Sequence, residues 1–472
     1  MRTQQQSKRY GNGGQANRPG RPESCHGPGG ADAIESAGNE EQPKRTANLE
    51  TELLTQQLME RVVAPVNMNK AYQRVVSNKG VGGVDGMTVN DLREWIDANK
   101  ERLLTSLLDG DYKPAPVRGV QIPTASGGVR QLGIPTVVDR LVQQAMSQVL
   151  EPLLDPLFSE SSFGFRLGRG AHDALRQASQ YAEDGRIYVV DIDLEKFFDR
   201  VNHDILMSRL ARHVKDKRFL RITRAFLNAG MMQDGVCIRR EEGTPQGGPL
   251  SPLLSNLLLD DLDKELERRN HKFCRYADDC NIYVHSQAAG ERVMTSASRF
   301  LEKKLKLKVN LAKSAVDLCH RRKLLGYCLG EGGELHISPE SLRRFRDQIR
   351  YLTRRNQGKA FEQVIERLNS YLRGWLAYYQ YGIRPSLVQR LDEWIRRKLR
   401  CYRLKQCKRA IGISRFLQSL GVPEWQAWIL ALSGKGWWRL SLAWQSARAM
   451  SIAWFRKMGL VSLGAQAVAV KV

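Results

Sequence analysis

The chain has 472 residues, 42% of them hydrophobic and 26% charged, enough for two or three domains with a sizeable core. No apolar run is long enough to span a bilayer, and no apolar signal segment stands near the N-terminus, which points to a cytoplasmic protein without a membrane partner. The eight cysteines include no Cys-x-x-Cys pair, which argues against a zinc ribbon and for reduced, mostly buried thiols. The net charge of +24 is unevenly spread. Residues 341–472 carry 26 Lys and Arg against 6 Asp and Glu, whereas the rest of the chain carries 48 against 44. A segment so basic repels itself unless it meets a polyanion, and nucleic acid is the usual one.

In chain order, residues 1–48 are rich in Gly, Gln, Asn, Arg and Pro without apolar period and read as a disordered, mildly basic extension. Helical spacing begins with Leu53, Leu54, Leu58, Val62 and Val63. Residues 117–124 and 129–134 read as a β-hairpin turning at 125–128. A helix follows with Leu141, Val142, Ala145, Val149 and Leu150 on one face. Residues 187–193 read as a buried strand. Ser251 and Pro252 suit the N-cap and first position of a helix to about Arg269, with a stripe of Leu254, Leu257, Leu258, Leu262 and Leu266. A second hairpin spans 272–285. Helices and strands mix irregularly, so the fold class is α+β. After about Ser341 the pattern is helical and holds eight of the nine tryptophans, most of them expected in a helical core. There Leu391, Trp394, Ile395, Leu399 and Tyr402 share a face, with Arg396, Arg397, Arg400 and Arg403 largely elsewhere on the helix.

The chemistry gathers on carboxylates. Arg-Tyr-Ala-Asp-Asp-Cys (275–280), flanked by β-type residues, places Asp278 and Asp279 at a hairpin tip. A turn needs only one Asp, and two adjacent carboxylates repel unless a cation neutralises them. The strand at 187–193 offers Asp191 and Asp193, two apart and therefore on one face. Three carboxylates from two strands can hold two Mg²⁺ about 3.5–4 Å apart, the arrangement of in-line phosphoryl transfer. Spacing alone leaves Asp191 and Asp193 as alternatives.

Several blocks occur in one order: Gly-Gly-Val-Asp-Gly (82–86), Arg-Gln-Leu-Gly-Ile-Pro-Thr (130–136), Ser-Phe-Gly-Phe-Arg (162–166), the Asp193 block, Gly-Thr-Pro-Gln-Gly-Gly-Pro-Leu-Ser-Pro (243–252), Tyr-Ala-Asp-Asp (276–279), a Lys313 block and Leu-Leu-Gly-Tyr (324–327). On these blocks the chain resembles the bacterial group II intron-encoded reverse transcriptase–maturases, from about Leu53 to Leu463, and within them the endonuclease-lacking class. The resemblance implies a right-hand polymerase with fingers and palm at 49–335, an all-α thumb/maturase domain at 336–424 and a DNA-binding extension at 425–472. It selects Asp193 as the metal ligand, because the family places an aromatic residue and then Asp five and six positions on, here Phe198 and Asp199. It also implies that Phe198 lies under the nucleotide sugar, that Gln246 touches the nascent base pair, and that Arg130 and Lys313 approach the incoming nucleotide. Two positions depart from the family pattern. Thr124 stands where Lys is usual after Ile-Pro, and Leu167 where Pro is favoured.

The sequence Asn-Ser-Tyr-Leu-Arg-Gly-Trp-Leu-Ala-Tyr-Tyr (369–379) is similar to the family's maturase domain, and Lys435-Gly-Trp-Trp-Arg439 to its DNA-binding extension. Arg396, Arg397, Arg400 and Arg403 are the candidate nucleic-acid contacts. Relatives that carry a His-Asn-His nuclease need histidines near the end, and here the last is His336. The implied partners are the intron RNA, a DNA target, the RNA–DNA template–primer and deoxynucleoside triphosphates, with two Mg²⁺ as cofactor. The implied activity copies intron RNA into DNA during target-primed integration and assists splicing. An RNA-binding splicing factor with a vestigial polymerase site is the alternative that Thr124 favours and the intact carboxylates oppose. A domesticated defence reverse transcriptase is a further alternative, opposed by the intact Pro-Gln-Gly-Gly.

Overall fold

The structure, a computed structural model, describes residues 55–123, 128–233, 236–238 and 242–469. The extension expected at 1–48, Leu53, Leu54, the turn at 125–127 and Thr124 lie outside the described residues.

Three helices open the described chain: α1 (Leu58–Val63), α2 (Pro65–Ser77) and α3 (Leu92–Leu108). The first expected hairpin follows as β1 (Val117–Pro123) and β2 (Val129–Ile134), antiparallel from Arg118↔Ile134 to Pro123↔Val129. Helix α4 (Val137–Leu154) starts where the Thr136 hydroxyl accepts the Asp139 N–H at 3.1 Å, which places a capping residue at the end of the Arg-Gln-Leu-Gly-Ile-Pro-Thr block. All five residues expected on its inner face are buried.

Next come α5 (Ala171–Glu183), β3 (Tyr188–Ile192), α6 (His203–His213), α7 (Lys217–Asn228), β4 (Met231–Gln233), β5 (Val236–Ile238) and α8 (Ser251–Arg268). The second expected hairpin is β6 (Lys272–Tyr276) with β7 (Asp279–Val284), followed by α9 (Gln287–Phe300) and β8 (Ala315–Leu318). One sheet runs β2-β1-β4-β5, and the central antiparallel sheet runs β6-β7-β3-β8. Strand β3 is therefore interior, which explains why Tyr188–Ile192 reads as a continuous apolar run rather than an alternation. One core joins α1 through residue 309 and takes in residues of β3, β6 and β7.

One expectation about α8 is corrected. Ser251 is not its N-cap: it is the first helical residue, and Leu250 occupies the cap without a side-chain bond. The Ser251 hydroxyl instead donates to the Pro245 carbonyl at 2.8 Å, tying the Pro-Gln-Gly-Gly loop to the helix.

A short hairpin, β9 (Tyr327–Leu329) and β10 (Leu335–Ile337), leads into the helical part. This comprises α10 (Pro339–Leu352), α11 (Phe361–Tyr379), α12 (Pro385–Gln406), α13 (Ala410–Ser419), α14 (Glu424–Ala431) and four short helices ending at Leu463–Ala469. A single apolar core runs from Ile337 to Leu463, so residues 425–463 share it with 336–424. The tryptophans differ from expectation. Of the eight in this part only Trp375 is buried, while Trp425, Trp438 and Trp444 are exposed. Indole is large and amphipathic, and several of these rings lie beside cations on neighbouring helices.

Candidate active site

The β6–β7 register ends at Tyr276↔Asp279, so Ala277 and Asp278 form a two-residue hairpin loop. Ala277 takes the positive φ (59°) that such a loop demands, where Gly is the usual residue. Arg275, fully buried, holds the loop from below. Its Nη1 donates to the Ala277 carbonyl and to Asn256 Oδ1, both at 2.9 Å, and its Nη2 to Ser162 Oγ at 2.8 Å. Its charge is met by Asp263 on α8 at 2.6 Å, also fully buried. Gly164 lies against the tip: a Cβ there would stand 2.3 Å from the Ala277 nitrogen. The Ser-Phe-Gly-Phe-Arg block is thus a rest for the acidic hairpin.

Strand β3 brings the other acids to the same end. Its last pair with β7 is Ile192↔Cys280, so Asp193 and Asp279 are the next residues outward on adjacent strands. The Asp193 backbone is pinned from both sides, its N–H to Ser314 Oγ and its carbonyl to the Asn310 N–H, each at 2.9 Å. Crowding raises the Asp279 pKa to about 6: desolvation acts first, then the charges of Asp278, Asp191 and Asp193. The four carboxylates therefore share one field.

Asp191 differs from Asp193 in its partner. Arg322 donates to Asp191 Oδ2 from Nε at 3.0 Å and from Nη2 at 2.5 Å. Burial still raises the Asp191 pKa, against the pull of that guanidinium. Asp193, by contrast, pairs with the ammonium of Lys313, at 3.9 Å and largely exposed. The same Arg322 Nη2 donates to the Lys313 carbonyl at 2.6 Å. One side chain thus neutralises the inner acid and fixes the loop that carries Lys313. The run Arg321-Arg322-Lys323 stands out in the sequence as charge, but nothing in its spacing shows that its middle residue reaches across to β3.

Phe198 and Gln246 come together. They line a cleft of about 580 Å³ with Arg74, Arg140, Phe165 and Gly247. Phe198 sits on a 3₁₀ turn whose carbonyl accepts the Thr244 N–H at 2.6 Å. Gly243 (φ 90°) makes that approach possible, since a Cβ there would lie 2.9 Å from the Phe198 oxygen. The Gln246 carbonyl accepts the Gly133 N–H at 3.1 Å, linking this loop to β2. Arg130 lies on β2 opposite Ile122, and its side chain is outside the described residues. Arg74 and Arg140 on this wall were not anticipated; they come from two helices whose registers only the fold aligns.

The four arginines of α12 separate. Arg397 lies 3.6 Å from the Trp438 ring centroid and donates to the Trp438 carbonyl at 3.1 Å. Arg400 donates twice to the Met450 carbonyl, at 3.0 and 3.1 Å. Arg403 lies over Phe416 at 4.4 Å. These three fasten the C-terminal segments to α12, and all four arginines are half-buried.

Residues 122–329 match the family model of reverse transcriptase (RNA-dependent DNA polymerase), and residues 342–419 that of the group II intron maturase-specific domain. Among curated relatives, Protein YkfC of Escherichia coli (strain K12) is 32% identical over 56% of this chain and 80% of its own length. The Group II intron-encoded protein LtrA of Lactococcus lactis subsp. cremoris is 35% identical over 43% of this chain and 34% of its own length. An uncharacterized 91 kDa protein in the cob intron of Schizosaccharomyces pombe is 34% identical over 43% of this chain and 25% of its own. The alignments thus span four-fifths of one relative and about a third or less of the others. The fold is that of an RNA-directed DNA polymerase, with palm and fingers followed by a helical domain. The chain belongs to the bacterial group II intron-encoded reverse transcriptase–maturases. Both domains imply nucleic-acid binding, and among the described residues no helix is long and apolar enough to cross a membrane.

Proposed function

We propose that the chain copies its host intron's RNA into DNA from a primer at a DNA target, and binds the same intron RNA to assist splicing. The observation that carries the polymerase reading is the shared field of Asp193, Asp278 and Asp279 at one sheet end. No three-ligand metal cage is preformed among the described residues. The donor set nonetheless fits hard divalent cations: oxygen ligands alone, from two strands, with a carboxyl that burial and the neighbouring acids keep protonated to about pH 6. Asp193, Asp278 and Asp279 would hold two Mg²⁺, which when bound lower the pKa of an attacking hydroxyl and stabilise charge on phosphorus.

The chain's own residues do the rest. Asp191, neutralised by Arg322, stays out of the ligand set. Phe198 walls the cleft it shares with Gln246, where a rigid ring would leave no room for a 2′-hydroxyl on the incoming sugar. Gln246 reaches the nascent base pair from a loop whose glycines admit close backbone approach. Arg130 and Lys313 supply cations for the triphosphate. Arg396 and the helical domain meet RNA phosphates, and residues 425–472 contact DNA. The test is extension of a DNA primer on an RNA template with Mg²⁺. Asp278→Ala/Asp279→Ala should lose about 10³-fold or more in rate. Extension at the wild-type rate would show that the chemistry lies elsewhere.

A further inference from the structure

A cavity of about 400 Å³ opens between the C-terminal end of α10 and α12, well away from the carboxylates in sequence. Five cations line it: Arg350, Arg354, Arg355, Lys398 and Lys405, joined by the polar side chains of Thr353 and Asn356. No carboxylate and no apolar side chain lines it. Of the five, Arg350 pairs with Asp347 on its own helix, one turn away. Lys398 is held between two indoles, with its ammonium 5.7 Å from the Trp394 centroid and 5.1 Å from that of Trp438. Desolvation, with the charges of Arg350, Arg355 and Arg397, lowers its pKa.

Shape separates this feature from an ordinary basic surface. A solvated helix face lets its cations splay into water, and a groove along a duplex spreads them at the spacing of phosphates. Here five converge on one concavity, and the two rings fix the Lys398 ammonium before any ligand arrives, so little side-chain freedom is lost on binding. Arginines at 354 and 355 can each meet a phosphate through two donors. A single strand that turns sharply presents neighbouring phosphates to one point, which a straight A-form helix does not. We propose that this pocket is a phosphate-binding site for a sharply turned strand of the intron RNA. The inference deepens the splicing part of the proposed function and rests on it.

The test uses the full chain and measures affinity and salt dependence for three RNAs: the host intron, an unrelated folded RNA and a straight duplex. Arg354→Gln/Arg355→Gln/Lys398→Gln removes three of the pocket's five charges. Arg343→Gln/Arg346→Gln/Arg415→Gln removes the same charge from exposed helix positions elsewhere in the domain. The pocket variant should lose about tenfold in intron RNA affinity, with a salt slope shallower by about two, while the control loses far less and duplex binding falls equally in both. Equal loss of intron RNA affinity in the two variants would overturn the pocket and leave a diffuse basic field. Inorganic phosphate is titrated by calorimetry as the second arm. Saturation by phosphate in the wild type, together with unchanged intron RNA binding in the pocket variant, would make it a free-anion site and end the proposal. The underlying reading fails by a different result: wild-type protein that binds intron and unrelated RNA alike.

Discussion

The sheet end and the basic helical domain each concentrate charge of one sign, and they resolve it in the same way. At the sheet end, Asp263 is paired with Arg275 and Asp191 with Arg322, which leaves Asp193, Asp278 and Asp279 as the acids facing outward. In the helical domain, Arg397, Arg400 and Arg403 are taken up by Trp438, the Met450 carbonyl and Phe416, which leaves a different set around the 400 Å³ pocket. In both regions the charges most visible in sequence are sorted by the fold into those paired within it and those left to face outward. Counting charges finds the region, whereas pairing finds the residues.

The comparison is broken most severely at the structural charges. Asp263→Ala leaves Arg275 fully buried without its counter-charge and should cost about 3–5 kcal/mol, read from chemical unfolding followed by palm-specific probes. Arg397→Gln is the matching change in the helical domain, where the guanidinium is only half-buried. It should cost about 1–2 kcal/mol, confined to the packing of residues 437–455, with primer extension within twofold of wild type. If Arg397→Gln abolished RNA binding without loosening that segment, the division between building and binding cations would be wrong. Between the two in size stands Gly164→Ala. Its new Cβ meets the Ala277 nitrogen at 2.3 Å, so the hairpin tip must move, and misplacement of that order costs up to about 100-fold in rate. Stability should change less, because the clash can be relieved by shifting a half-buried two-residue loop rather than the core.

Much of this was legible in the residues. Both hairpins, the buried β3 and the long leucine-rich helix follow from periodicity, because a two-residue or four-residue period survives any tertiary context. The two-versus-one ambiguity at Asp191 and Asp193 did not yield to spacing, since both point to one face of β3. What separates them physically is Arg322, 131 residues away and brought near by the β3–β8 pairing. Gly164 and Arg275 were visible as members of ordered sequence blocks but not as a support for the hairpin, because that role is a contact between distant segments. The tryptophans divide for a related reason: an aromatic at helical spacing reads as core, and only the packed helices show that Trp394 packs against it while Trp438 is exposed and holds cations.

The finest test is electrostatic and small. Asp279 binds its proton more tightly in the folded chain than an ordinary carboxyl does, with a pKa of about 6. The sign follows directly. In the metal-free protein this group favours the folded state at acid pH, and that contribution is lost as pH rises through the ordinary carboxylate range to about 6. Divalent cations compete for the same oxygens, so primer extension should fall as pH drops through about 6, and the midpoint should move lower as Mg²⁺ concentration rises. Arg322→Gln sharpens the comparison between Asp191 and Asp193. It removes the guanidinium from Asp191, whose charge already raises Asp279, so the acid limb of the rate profile should move upward by roughly half a unit to one unit. Arg322→Lys keeps the charge but loses the fork that also holds the Lys313 carbonyl. It should restore the pH midpoint while leaving a raised KM for the nucleotide. A profile for Arg322→Gln that superimposes on wild type would mean that Asp191 does not feel the site, and the choice of Asp193 would then rest on the spacing to Phe198 alone.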